Sequence, residues 1–163
     1  MLTYIATIAT LVLTDRLVPY EPGEPDRRQS FRLIYMTPHF QDWMADELSL
    51  RRASKQTGEE PYYQLIGRFD DFCMGENFEL NRMFKNLEPK DRGIWEIKTP
   101  DVRVFGFFTE KDCFIAICGG LKSAYRTNAS YKKPIGSVGV ERQKLQLPWI
   151  SGERIDDVIS IEN

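Results

Sequence analysis

Three apolar runs joined by tight turns fill the middle of the chain, and they constrain the fold more than any other feature. Ile94 to Thr99 alternates apolar and polar residues, and Pro100-Asp101 turns the chain. Val102 to Thr109 is a second run, Glu110-Lys111-Asp112 turns again, and Cys113 to Cys118 is a third. Strands this close in sequence, with turns this short, pair as an antiparallel meander.

Upstream of the meander the periodicity is helical. Phe31 to Met36 reads as a short strand, and Thr37-Pro38 then offers an N-cap with proline at the first helical position. Phe40, Trp43, Met44 and Leu48 recur at amphipathic spacing until the polar run Arg51 to Glu60. A second helix follows Pro61, with Tyr62, Leu65, Ile66, Phe69 and Cys73 on one face and Gly75 as its stop. A third short helix is predicted from Leu80, Met83, Phe84 and Leu87, ended by Pro89. These stripes are core faces. Downstream, a last helix is predicted over Val138 to Leu145, and Arg154 to Ile161 adds a strand or helix. The expected fold is therefore α+β: a small antiparallel meander sheet packed against two or three N-terminal helices.

The first fourteen residues, MLTYIATIATLVLT, fit a helix or a strand, or a segment that an upstream start codon adds outside the core fold. They are too short to cross a bilayer, which needs roughly 20 apolar residues. They also lack the charge and cleavage pattern of a secretory leader. Val18 to Ser30, with three prolines and a glycine, reads as a linker. The predicted organisation is an N-terminal extension and linker over residues 1–30 and one domain over residues 31–163.

Composition narrows the chemistry. Three cysteines without paired spacing speak against a disulfide framework and for a reduced, cytoplasmic protein. The single histidine, His39, falls in a helix's first turn, so a Cys/His metal centre or a Ser-His-Asp triad cannot be assembled. No metal or organic cofactor is implied. Gly119-Gly120-Leu121-Lys122-Ser123 has the outline of a phosphate loop, but Leu121 separates glycine from lysine and the motif fails. Asn128-Ala129-Ser130 matches a glycosylation sequon with nothing else to suggest secretion.

The net charge is −2, which excludes a uniformly basic nucleic-acid binder. Charge is nonetheless uneven. Lys90 to Lys133 holds nine basic and five acidic residues, whereas Asp15 to Glu88 holds ten and fourteen. Within the basic region Glu96 and Lys98 share a side of their strand, and Arg103 lies on the next. Lys122, Tyr125 and Arg126 follow the third strand. One carboxylate and several cations suit metal-free cleavage of an RNA phosphodiester. Glu96 takes the 2′-OH proton. Arg103, Lys122 and Arg126 stabilise the phosphorane, and Tyr125 or a lysine protonates the leaving 5′-oxygen. Arg92, Lys98, Tyr131, Lys132 and Lys133 form the surrounding RNA-binding set, with Tyr125 and Tyr131 able to stack on unpaired bases. The plain alternative is a solvated sheet face with no chemistry. Glu96 and Arg103 turned into the core would point instead to an unrelated α+β protein, its N-terminal apolar segment pairing as a strand or docking on another subunit, since buried charges pair for structural reasons.

The order of elements resembles that of the RelE/HigB-like toxins of bacterial toxin–antitoxin systems. Gly93 to Lys98 (GIWEIK) is similar to that family's strand after the second helix. Val102 to Phe108 (VRVFGFF) and Phe114 to Lys122 (FIAICGGLK) are similar to the two strands that follow. The resemblance runs from about Phe31 to Leu145. It implies a small α/β toxin that cleaves mRNA, often on the ribosome, and is neutralised by an antitoxin protein. The family's roles then fall on Glu96, Arg103, Lys122, Tyr125 and Arg126. The alternative is an inactive RelE-like fold of phage or mobile-element origin that binds RNA or protein.

Overall fold

The computed structural model describes residues 6–23 and 31–161. Its elements, in chain order, are α1 (Ile8–Leu13), β1 (Val18–Pro19), β2 (Leu33–Met36), α2 (Pro38–Asp46), α3 (Pro61–Cys73), β3 (Phe84–Asn86), β4 (Ile94–Lys98), β5 (Val102–Glu110), β6 (Cys113–Leu121), α4 (Lys132–Leu145) and α5 (Ile155–Val158). Residues 1–5 of the N-terminal apolar run and residues 24–30 of the expected linker lie outside the described residues.

The fold is α+β, and the three expected strands pair as a meander. Lys98 lies opposite Arg103 across the first turn, and Glu110 opposite Cys113 across the second. The first turn is closed by Thr99, whose N–H donates to Val102 O and whose Oγ1 accepts from Val102 N, both at 3.0 Å. The second turns at Asp112, which adopts φ +65°. The sheet is larger and more mixed than expected. Among the described residues it has six strands in the order β1-β2-β6-β5-β4-β3, with β2 parallel to β6 and the other pairs antiparallel.

The third predicted helix is a correction. Leu80, Met83, Phe84 and Leu87 do not share a helical face: Phe84–Asn86 is edge strand β3 on β4. Phe84 and Asn86 are buried while Lys85 between them is exposed, a period of two. Phe84 stacks on Trp95 at 5.0 Å, a contact across the sheet that no local periodicity encodes.

A second correction concerns the sheet's other face, which is not open. One face carries the larger core, where α2 and α3 bring Phe40, Met44, Leu65, Phe69 and Phe72 onto Trp95, Val104, Phe108 and Phe114. The opposite face packs Phe105, Phe107, Ile115 and Ile117 against Leu11 and Leu17 at the N-terminal end and Val138 and Leu145 of α4. Residues 6–17, read from sequence as part of an extension, thus contribute Ala6, Leu11 and Leu17 to a core. α1 is capped by Thr7, whose hydroxyl accepts from Thr10 N. Coverage on both sides explains why β5 and β6 read as nearly continuous apolar runs.

α4 begins six residues before the expected Val138. Pro134 lies in its first turn, and Gly136 and Gly139 weaken its helical signature. A capped turn at Asn128–Tyr131 leads directly into it.

Candidate functional site

An irregularity in β6 sets up the site. The register between β5 and β6 shifts at Phe105/Gly106, where Ile117 is the extra residue. Beyond this bulge the alternation inverts, so Gly119 faces α2 and Gly120 faces the α4 side. The two glycines then serve two rings. A Cβ at Gly119 would stand 2.7 Å from the Trp43 ring, and one at Gly120 would collide with the Tyr125 hydroxyl and ring. The glycine pair that imitates a phosphate loop is there for close approach of aromatic side chains.

Tyr125 lies edge-on to Phe105, with ring centroids 5.0 Å apart, and Tyr131 does the same at 5.8 Å. The two tyrosines are 5.8 Å from each other. They roof the part of the sheet that α4 leaves uncovered. Beneath them Glu96 is fully buried, so it does not lie on an exposed surface with Arg103 as the sequence suggests. Among the described residues neither Glu96 carboxylate oxygen has a well-formed hydrogen bond. Lys98 Nζ stands 3.7 Å away, and the Tyr131 hydroxyl interacts with both Glu96 and Arg103. Burial drives the Glu96 carboxyl above the ordinary carboxylate range, against the opposing pull of Tyr131, Lys98, Arg103 and Lys85. Burial and the neighbouring Glu96 push the Tyr131 phenol up to about 12. Desolvation lowers Lys98, although Glu96 opposes it.

Arg103 is half-buried. Its Nη1 donates to the carbonyls of Thr99 (2.6 Å) and Val102 (3.0 Å), which ties the guanidinium to the β4–β5 turn. From there it forms one wall of a groove of about 780 Å³. Lys122, Tyr125, Arg126 and Tyr131 line the same groove, so four of the five expected catalytic residues meet there, with Glu96 behind. Arg51 and Arg52 complete the wall. Sequence reasoning missed this pair, treating Arg51 to Glu60 as a helix-ending polar run; two adjacent arginines in it were the available signal.

A buried polar network holds the Arg51–Arg52 loop in place. Asp101 Oδ2 accepts from Gln64 Nε2 at 2.7 Å and Thr57 Oγ1 at 3.1 Å. Gln64 Oε1 in turn accepts from Thr99 Oγ1 and Asp101 N, each at 3.0 Å. The groove's only carboxylate among the described residues is therefore engaged in fastening the loop.

No family model, curated protein or solved structure matches this chain. Residue geometry therefore carries the functional argument. Five cations against one hydrogen-bonded carboxylate, with two tyrosine rings, make a site for a polyanion that also offers flat faces for stacking. The other expected RNA-binding residues divide. Arg92 and Lys132 line a neighbouring groove of about 700 Å³ that meets the first at Tyr131. Lys98 donates to Asn81 O at 3.1 Å and lies outside both linings, as does the exposed Lys133. Among the described residues no cluster of His, Cys, Asp and Glu could hold a metal ion, and no helix is long and apolar enough to cross a membrane.

Proposed function

We propose that the groove binds single-stranded RNA and that the chain is a RelE/HigB-like endoribonuclease working by metal-free 2′-OH transesterification. The observation that carries this reading is the convergence of Arg51, Arg52, Arg103, Lys122 and Arg126 with Tyr125 and Tyr131 on one groove. Cations held in place at a phosphate stabilise the charge that builds on a phosphorane without reorganising during the reaction. Arg103, tethered through Nη1, is the best held of them.

The base works in two stages. The 2′-OH proton passes to the Tyr131 oxygen as the Tyr131 proton passes to Glu96, whose buried carboxylate is the stronger acceptor for its burial. The 2′-oxygen bonds to phosphorus, the bond to the 5′-oxygen breaks, and Tyr125 protonates that oxygen. The products are a 2′,3′-cyclic phosphate and a 5′-hydroxyl. An antitoxin protein that covers the groove would silence it.

The burial of Glu96 favours a second reading, in which the groove holds RNA without cutting it. Induced expression in a bacterial host separates the two, with wild type beside Arg103→Ala and with growth and mRNA 5′ ends followed. Growth arrest with new 5′ ends, both relieved by the substitution, supports the nuclease. Normal growth and intact mRNA at verified expression leave the binding reading.

A further inference from the structure

Apart from Tyr131, the residues of the second groove have no part in that reaction, yet they are complementary to the same kind of ligand. Lys85, Arg92 and Lys132 line it against a single carboxylate, Glu88. Leu87 and Ile135 add apolar surface, and Asn128 brings an amide able to donate and accept. The backbone that carries Lys85 and Arg92 is fixed by the fold. Lys85 projects from edge strand β3 opposite Glu96. The Arg92 carbonyl accepts from Arg142 Nη1 at 2.7 Å, and the Arg142 guanidinium lies 3.8 Å above the Trp149 ring. Gly93, at φ +62°, turns the chain sharply after Arg92, and a Cβ there would collide with Ile150 O and the Trp149 ring. Tyr131 belongs to both linings.

We infer that the two grooves form one continuous track, with the RNA strand crossing Tyr131 from the Arg103 groove into the Lys85–Arg92–Lys132 groove. This rests on the RNA reading of the first groove and adds a length to it. The strand's phosphates follow the cations on both sides while one base stacks at the Tyr131 ring. A separate small anion is a poorer fit, because the apolar surface beside the cations suits a base or sugar and Tyr131 joins the two spaces.

The test uses full-length protein and 2′-O-methyl oligouridylates, which lack the attacking hydroxyl and are not cut. Affinities for a tetranucleotide and a decanucleotide are measured across a salt series. Each phosphate contact on a single strand contributes about −0.7 to the slope of log K against log salt. Combined Lys85→Ala, Arg92→Ala and Lys132→Ala should make the decanucleotide slope shallower, reducing its magnitude by about 2, while leaving tetranucleotide affinity unchanged. The three side chains are exposed, so the fold should survive. Glu88→Gln gives the opposite sign and should tighten the decanucleotide alone. If wild type binds both lengths and the substitutions leave the decanucleotide unchanged, or weaken both lengths equally, the continuous track is overturned and the first groove stands. If neither length binds the wild type, the RNA reading itself fails.

Discussion

Replacing Glu96 with glutamine should stabilise this protein at neutral pH. The carboxylate is fully buried, neither oxygen has a well-formed hydrogen bond among the described residues, and the nearest cation lies 3.7 Å away on a side chain about 20% exposed. An unsatisfied buried polar group costs about 1–3 kcal/mol, more when charged. Glutamine keeps the shape and removes the charge, at the cost of the loose Lys98 pairing. The expected net gain is about 1 kcal/mol, or about 2–4 °C in Tm for a chain of this size. The dependence on pH has a definite sign. Burial raises the Glu96 pKa in the folded state above its unfolded value. Between the two values the folded protein therefore holds more protons than the unfolded chain, and stability falls as pH rises. The wild type should lose stability upward from about the ordinary glutamate pKa until the raised value is passed, and Glu96→Gln should lack that loss. Urea unfolding at closely spaced pH values measures it. A drop of about 3–5 kcal/mol at neutral pH on making the substitution would refute the reasoning, because it is what removal of one partner from a well-made buried ion pair costs.

Three further outcomes follow from the packing. Gln64→Ala removes a buried side chain that holds Thr99, Asp101 and the arginine-bearing loop together, and should cost about 2 kcal/mol by chemical denaturation. Gly120→Ala should displace the Tyr125 ring and weaken RNA affinity about tenfold in a binding titration, the value of one lost base stack, with little change in Tm. Leu11→Ala should destabilise by about 2–4 kcal/mol, since Leu11 is 1% exposed. An unchanged unfolding midpoint would mean that α1 is not docked.

The meander, α2 and α3 were legible because their signals are local: short turns, a Thr-Pro start, a glycine stop. What escaped the sequence depends on distant partners. β3 shares its spacing with a helix over Leu80 to Leu87, and only pairing with β4 and stacking on Trp95 decide the matter. Parallel placement of β2 beside β6 has no signature in either strand. In the site, Arg103, Lys122, Tyr125, Arg126 and Tyr131 were readable as a basic, aromatic exit from the sheet. The depth of Glu96 was not, because its strand alternates in a way that fits an exposed face equally well. Its burial follows from the two tyrosines that roof it from beyond the strands, which a strand pattern does not report. Arg51 and Arg52 reach the groove because Asp101, some fifty residues away in sequence, fastens their loop through Thr57 and Gln64.

The central claim is that RNA lies in the groove between Arg51–Arg52 and Arg126. Photocrosslinking of a 4-thiouridine-labelled single-stranded RNA to the full-length protein, followed by mass spectrometry of the crosslinked peptides, tests it most directly. The account predicts crosslinks at Tyr125 and Tyr131, the two aromatic rings in the groove lining, and their loss in Arg103→Ala at matched concentration. Crosslinks confined to other surfaces, such as the exposed Trp149 or the face carrying Tyr63, would contradict it, as would no crosslinks at all.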